Sequence, residues 1–489
     1  MSIRRFHLRS VGSCLVILIA GLASGCAQPD ETSKNNILLI TIDTLRADHL
    51  SSYGYPRATS PVLDALAAEG VRFEMPIVQW PKTGPSFASI FTSTYPKDNG
   101  IVRKIGTRLP DQFRMLAEVL KDQGYTTRAV VANGAVASEF NFNQGFGTYV
   151  ESWKLTPPAD GVDPTGAAMI NQLVETVMED QPPGEPFFLW AHYLDPHSPY
   201  EAPEPWTDRF VDDSFSDSTR KVDIKPDRPR RQMTGIGREQ VLDGRDDLDF
   251  YVARYDSEIS YVDAKVGELL DFLDNKGLMA NTLTVITSDH GESLGEHEYY
   301  FDHGRFSYQT CLRVPLIFHQ PGTLEPRVDT SPVELLQLAP TLLEAAGIEL
   351  EEGQWMQGQS LWPRLLGTET EVAERYAFSE AGYAVKPLWQ RAVTDGRYKL
   401  IYAQDWGEQR WIAGKGNPFA LFDLETDPGE SNNLIGQDNE AERRLQTELQ
   451  KLWSAPPFEV EIQATSDQEE PAEMDEETRR QLKALGYIQ

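Results

Sequence analysis

Asp43 and the adjacent pair Asp289 and His290 are the residues of this chain whose types and positions could do chemistry together. Each closes a short apolar run: residues 37–42 stop at Asp43, and residues 283–288 stop at Asp289. Short β-branched runs bounded by polar residues read as buried parallel strands. In an open α/β sheet, ligands bind beyond the carboxyl ends of the strands. If both runs lie in one sheet, two carboxylates and an imidazole converge at its edge, and such a set reads as a metal site. His192, His197, His297 and His303 add to the cluster, and the stretch 191–200 carries a third strand into a Pro-bounded loop at the same edge. A lone histidine is more often a packing residue than a ligand; several of them beyond strand ends point to a site.

Thr83 lies in Trp80-Pro81-Lys82-Thr83-Gly84-Pro85-Ser86, just before a helix. Pro85 suits the first helical position, so Thr83 or Gly84 falls at the cap. Taken alone, Thr83 reads as a helix cap. The alternative is a nucleophile at a helix N-terminus, where free N–H groups favour an alkoxide. A Thr hydroxyl needs a metal or a base to ionise it. Residues 290–297 do not match the His-Glu-x-x-His zinc-protease spacing, and no phosphate-cradling Gly-Lys-Ser/Thr loop is present.

The elements that must position these groups alternate along the chain. Strands are expected at 37–42, 128–132, 187–192, 283–288 and 314–318. Amphipathic helices are expected near 61–69, 85–93, 111–123, 165–180, 249–275 and 333–346. The alternation predicts an α/β fold with a large, mainly parallel sheet sandwiched by helices. Residues 207–247 interrupt it as a polar insertion, a lid or a disordered stretch. From about 375 the pattern changes to short strands at 376–379, 390–394, 398–402 and 419–423, closed by a helix at 438–453, which predicts a small antiparallel C-terminal sheet. The domain plan is thus a catalytic domain over 37–370 (insertion 207–247), a small sheet subdomain over 371–455, and an acidic, loose tail over 456–489 that ends in an amphipathic turn at 478–488.

The chain has 489 residues, 75 acidic against 45 basic, and a net charge of -30. That balance argues against a nucleic-acid partner. An anionic substrate would need a local cationic trap. Residues 1–26 read as an export leader: Arg4, Arg5 and Arg9, then the apolar stretch 11–23, then Ala23-Ser24-Gly25-Cys26. Small residues before Cys26 resemble the bacterial lipoprotein cleavage box. Cys26 is the expected lipidation site, residues 27–36 the tether, and the location periplasmic or cell-surface, with a lipid anchor as the only membrane contact. Of the three cysteines, Cys311 reads as a buried small hydrophobe, and no disulfide is expected.

The chain resembles the sulfatase family of the alkaline-phosphatase superfamily. The resemblance is carried by Ile42-Asp43-Thr44-Leu45-Arg46; by Pro85-Ser86 with Ala88-Ser89; by His192, Asp195, His197, Pro199 and Tyr200; by Ser288-Asp289-His290-Gly291-Glu292; by Leu312-Arg313-Val314-Pro315; by Asp395-Gly396-Arg397-Tyr398-Lys399-Leu400; and by Leu421-Phe422-Asp423-Leu424 with Asp427-Pro428. It implies that Asp43, Asp289 and His290 are metal ligands and that Thr83 occupies the nucleophile position, which also binds the metal. It places His192 and His197 on positions that contact the substrate anion or its leaving group, and His303 where many sulfatases carry a sulfate-binding Lys.

The departures matter as much. Formylglycine-dependent sulfatases carry Cys or Ser at the nucleophile, within Cys/Ser-x-Pro-x-Arg. Here Thr83 cannot give formylglycine, Phe87 replaces the Arg, and Thr44 replaces a second Asp. The remaining set of Asp43, Thr83, Asp289 and His290 is similar to the one-metal site of lipoteichoic acid synthases and phosphoethanolamine transferases. A carboxylate–imidazole–alkoxide set suits manganese or zinc, with calcium or magnesium as alternatives. The expected function is metal-dependent cleavage of a phosphate mono- or diester through Thr83, with His192, His197 and His303 handling the anion and the leaving-group proton. The alternatives are a sulfuric ester hydrolase that works without formylglycine and a non-catalytic binder of anionic glycans.

Overall fold

A computed structural model of the chain describes residues 34–488 apart from 103–105, 156–162, 164, 183, 213, 215–217, 229–232, 350–355, 370–374, 384–385, 404–416, 438–439 and 455–472. The leader, Cys26 and the tether up to residue 33 therefore lie outside the described residues, as does most of the acidic stretch.

The strands in chain order are β1 (Asn36–Ile42), β2 (Val71–Ile77), β3 (Thr126–Val131), β4 (Thr148–Glu151), β5 (Phe187–Tyr193), β6 (Ile224–Lys225), β7 (Ile236–Gly237), β8 (Thr282–Thr287), β9 (Ser293–Leu294), β10 (Tyr300–Asp302), β11 (Leu316–His319), β12 (Arg327–Glu334), β13 (Ala377–Tyr383), β14 (Lys386–Thr394), β15 (Tyr398–Ala403) and β16 (Phe419–Asp423). Eight of them form the main sheet, in the order β12-β2-β11-β8-β1-β5-β3-β4. β1 pairs parallel with both β5 and β8. β3 continues parallel beyond β5, and only β11 runs against its neighbours β8 and β2. This is the predicted mainly parallel sheet.

β1, β5 and β8 are apolar because both faces of the sheet are covered. Ile37 and Leu39 pack on one side with Trp190 and Val285. Leu38, Ile40 and Ile42 pack on the other with Leu189, Ala191 and Ile286. A parallel strand with two buried faces reads as a continuous hydrophobic run rather than an alternating one. Because β1, β5, β8 and β3 point the same way, Asp43, His192, Asp289 and Asn133 all fall at one edge.

Helices lie at Pro61–Glu69, Thr83–Thr92, Leu116–Asp122, Ala167–Val177, Leu248–Asn275 and Leu338–Ala345, as the periodicity predicts, with some shorter than expected. Three main-sheet strands escape the sequence reading. β2 interleaves Arg72 and Glu74 with its apolar residues. β4 is a four-residue edge strand. β12 is an edge strand of mixed polarity with Pro332 at a register shift, the position where a sheet tolerates proline. Within 207–247, the described residues are tied down by the β6–β7 pairing and by buried Val222 and Ile236.

The small antiparallel sheet has the order β13-β14-β15-β16. The helix Glu440–Ser454 covers it, packing Leu445 and Leu449 against Val393, Leu400 and Leu421. The end of the chain differs from the expectation of a loose tail. Residues Glu476–Ala484 form a helix whose Leu482 is fully buried in the main core. The reason is a polar seam: Trp153 Nε1 donates to Thr478 Oγ1 at 3.1 Å, and Lys154 pairs with Asp475 at 2.8 Å.

Candidate active site

Asp43 follows the last residue of β1 and donates its N–H to the carbonyl of Tyr193 at 2.9 Å. Thr44 then adopts a left-handed φ of 56° and turns the chain away at once. Asp289 and His290 follow β8. Ser288 ties the two strand ends together, accepting from the Leu45 N–H at 3.0 Å and donating to the His290 carbonyl at 2.6 Å. Ser86, on the helix Thr83–Thr92, donates to the Asp289 carbonyl at 2.6 Å and so fixes the helix start against the strand end. Gly291 is required by crowding, since a Cβ there would lie 2.1 Å from the Thr310 carbonyl oxygen.

Thr83 is not a cap. It is the first helical residue; Lys82 holds the cap position, and no side chain caps this end. The Thr83 hydroxyl instead lies 3.2 Å from His290 Nε2. His290 Nδ1 donates to the Gly291 carbonyl at 2.9 Å, so the neutral ring presents a lone pair at Nε2. That lone pair faces Asp289 Oδ2 at 3.3 Å and Asp43 Oδ1 at 3.8 Å. Both carboxylate oxygens are buried without a hydrogen-bond partner. Burial, then the charge of Asp289, pushes the Asp43 carboxyl well above its usual range. Burial likewise pushes Asp289 up to about 6 and His290 down to about 3. Two carboxylates and an imidazole have ligand atoms within 4.8 Å of one another, the one such group of three found among the described residues. Two orphaned, repelling carboxylates beside a fixed lone pair are what a divalent cation relieves, so the donor set fits one such ion.

The three other predicted histidines lie around this set. His192 Nδ1 lies 3.0 Å from Thr41 Oγ1, which also accepts from Trp190 Nε1 at 2.8 Å. Its Nε2 faces Asp43 Oδ2 at 3.6 Å, and burial lowers its pKa to about 4. His303 stacks near His290, with ring centroids 4.1 Å apart, and its Nδ1 meets Glu292 Oε1 at 3.0 Å. Burial, then the neighbouring His290 and His197, hold its pKa well below the usual value. His197 lies with its ring centroid 5.4 Å from that of His303. His297, in contrast, stacks on Tyr308 at 3.6 Å. Phe87, standing where the family Arg would be, is fully buried against Trp190, Phe91 and His192, so an aromatic core fills that position.

The sequence reading missed four residues of the site. Asn133 donates to Asp43 Oδ2 at 2.6 Å, while its Oδ1 accepts from the Ala135 N–H, which fixes the amide orientation. It sits just past the end of β3, at the same sheet edge as Asp43. Glu292 orients His303 and is part of a motif already noted. Lys82, immediately before Thr83, carries an ammonium whose pKa burial lowers. Tyr487 reaches Thr83 Oγ1 at 2.9 Å from the far end of the chain, and only its place within the amphipathic turn expected at 478–488 hinted at order there.

Comparison with known proteins gives a consistent result. The model described as Sulfatase matches residues 35–348, and that described as N-sulphoglucosamine sulphohydrolase, C-terminal, matches residues 295–455. The chain is 30% identical to a choline-sulfatase of Rhizobium meliloti over 442 residues, covering 82% of this chain and 83% of that one. It is 26% identical to an N-acetylglucosamine-6-O-sulfatase of Bacteroides thetaiotaomicron over 531 residues, covering 91% and 90%. Its fold matches the crystal structure of the phosphonate monoester hydrolase of Agrobacterium radiobacter with a TM-score of 0.66 at 22% identity, covering 86% of this chain and 95% of that one.

Proposed function

The chain belongs to the sulfatase family of ester hydrolases, and from that premise we propose that it cleaves a phosphate mono- or diester with Thr83 as the nucleophile. The observation that carries this reading is the Thr83 hydroxyl at a helix start, uncapped and 3.2 Å from His290 Nε2. Asp43, Thr83, Asp289 and His290 would hold one divalent ion, manganese or zinc by their donor types, which when bound favours the Thr83 alkoxide and screens negative charge.

Thr83 Oγ1, its proton given up to solvent, donates an electron pair to phosphorus. The bond from phosphorus to the leaving alcohol breaks, and the departing oxygen takes a proton from His197 or His303. Glu292 holds His303 by its Nδ1–H and leaves Nε2 for that task. An anionic substrate opposes the depression of the His303 pKa. Water or an acceptor alcohol then attacks phosphorus, gives its proton to the same imidazole, and releases Thr83. A threonine adduct requires this second attack, because it has no route to collapse to an aldehyde as formylglycine hydrate does. Phosphate chemistry suits that requirement. The solved relative described as a phosphonate monoester hydrolase supports phosphorus chemistry on this fold.

The sulfate reading draws on the relatives described as sulfatases. The ratio of kcat/KM for matched aryl phosphate or phosphodiester and aryl sulfate substrates decides between them. The phosphorus ester is expected to be preferred. A preference for sulfate beyond about tenfold, about 1.4 kcal/mol in transition-state binding, overturns the proposal.

A further inference from the structure

The last residues of the chain enter the site, and no step above uses them. The helix Glu476–Ala484 packs against residues 134–136 and 152–154. Gln481 locks it in place: its Oε1 accepts from the Gly134 N–H at 2.5 Å, and its Nε2 donates to the Ala132 carbonyl at 2.6 Å. Both partners flank Asn133. Gly134 has no Cβ because one would lie 2.5 Å from that Gln481 oxygen. Gly486, with φ 81°, then reverses the chain, and the Tyr487 N–H returns to the Leu482 carbonyl at 2.8 Å. This turn delivers the Tyr487 hydroxyl to 2.9 Å from Thr83 Oγ1 and 3.3 Å from Asn133 Nδ2. The Tyr487 ring lies 5.8 Å from that of His197, and the Lys82 ammonium sits 5.5 Å from its centroid.

Resting on Thr83 as nucleophile, we propose that Tyr487 is a catalytic residue whose O–H donates to Thr83 Oγ1 whenever that oxygen carries negative charge. Asn133 Nδ2 is held by Asp43 and cannot accept, so it donates to the phenol oxygen. The phenol proton is then directed at Thr83. The donor matters most when the threonine adduct is opened. There the bond between phosphorus and Thr83 Oγ1 breaks, Oγ1 keeps the electron pair, and the Tyr487 O–H stabilises that charge without leaving its own oxygen. Attack by water or an acceptor alcohol supplies the new bond to phosphorus.

The test is Tyr487→Phe in the full chain, with 4-nitrophenyl phosphate and its diester as probes. Phenylalanine keeps the ring packing and removes only the hydroxyl. We expect kcat to fall about 10²-fold, the effect of losing one donor to an oxyanion. KM should hold or fall, and the protein isolated during turnover should carry the transferred group on Thr83 by intact mass and peptide mapping. A second variant ending at residue 473 should lose at least as much activity. A kcat within twofold of wild type in Tyr487→Phe overturns the proposal, and so does any gain of activity in either variant, which would make the segment a plug. An inactive Thr83→Ala beside a normal Tyr487→Phe removes this proposal alone. An active Thr83→Ala removes the nucleophile reading itself.

Discussion

The Thr83 hydroxyl caps no helix end, which is what the proposed nucleophile role requires of it. A capping threonine spends its oxygen on a backbone N–H. This one turns to His290 Nε2 and the Tyr487 hydroxyl. The energetic consequence is testable. Thr83→Ala should abolish turnover while changing unfolding free energy by no more than about 0.5–1.5 kcal/mol, the net worth of an ordinary hydrogen bond. Urea unfolding beside the steady-state assay checks both halves. Near-normal activity in that variant would return Thr83 to a packing role. Phe87 makes the same point from the other side. It sits in an aromatic cluster with Trp190 and Phe91, and burying an unpaired guanidinium there would be costly.

At the scale of elements, the small C-terminal sheet is joined to the main sheet through buried polar groups. Glu334, the last residue of β12, accepts from the Tyr95 hydroxyl at 3.0 Å and from the Phe378 N–H of β13 at 3.0 Å. Burial raises its carboxyl to about 7, against a hydrogen-bond pull from Phe378 and Tyr95. A carboxyl whose folded pKa is raised binds its proton more tightly in the native state. Its contribution to stability is therefore full below about pH 4.5 and is lost as pH rises through about 7. Glu334→Gln keeps the shape and removes the titration. Between pH 5 and pH 8 the variant should lose less stability than wild type, by up to about 3 kcal/mol, read from urea midpoints at the two pH values. Equal slopes in both proteins would remove Glu334 as the source. The second junction is the fully buried pair of Lys399 and Glu430 at 2.7 Å, whose carboxylate also accepts from the Gln309 N–H. The pair itself lies within the small subdomain; the Gln309 N–H bond to Glu430 is what links it to the body.

At the scale of the whole molecule, we propose that the enzyme is exported and held at a membrane by a lipid on Cys26, as the order of residues 1–26 suggests. Cys26→Ser should move the protein from the membrane to the soluble fraction, and a variant that stays membrane-bound points to another anchor. What the sequence determined by itself follows from local physics. Fully buried parallel strands must be continuous apolar runs, so β1, β5 and β8 were visible, and their carboxyl ends named Asp43, His192, Asp289 and His290. Thr83 at a helix start and His197 and His303 in the histidine cluster were noticed from the residues, and the family resemblance gave them roles. Only the tertiary structure decided the rest. β4 and β12 are edge strands of mixed polarity and leave no clear periodic signal, whereas β2 did carry an alternating Val71-Arg72-Phe73-Glu74-Met75 pattern that the sequence reading passed over. Asn133 was one residue beyond a recognised strand, yet amides are too common in turns to stand out. Tyr487 lies 404 positions from Thr83, and no local pattern encodes which distant surface a terminal helix will cover. The buried Leu482 and the paired bonds of Gln481 settle that only once the edge formed by β1, β3 and β8 exists to receive them.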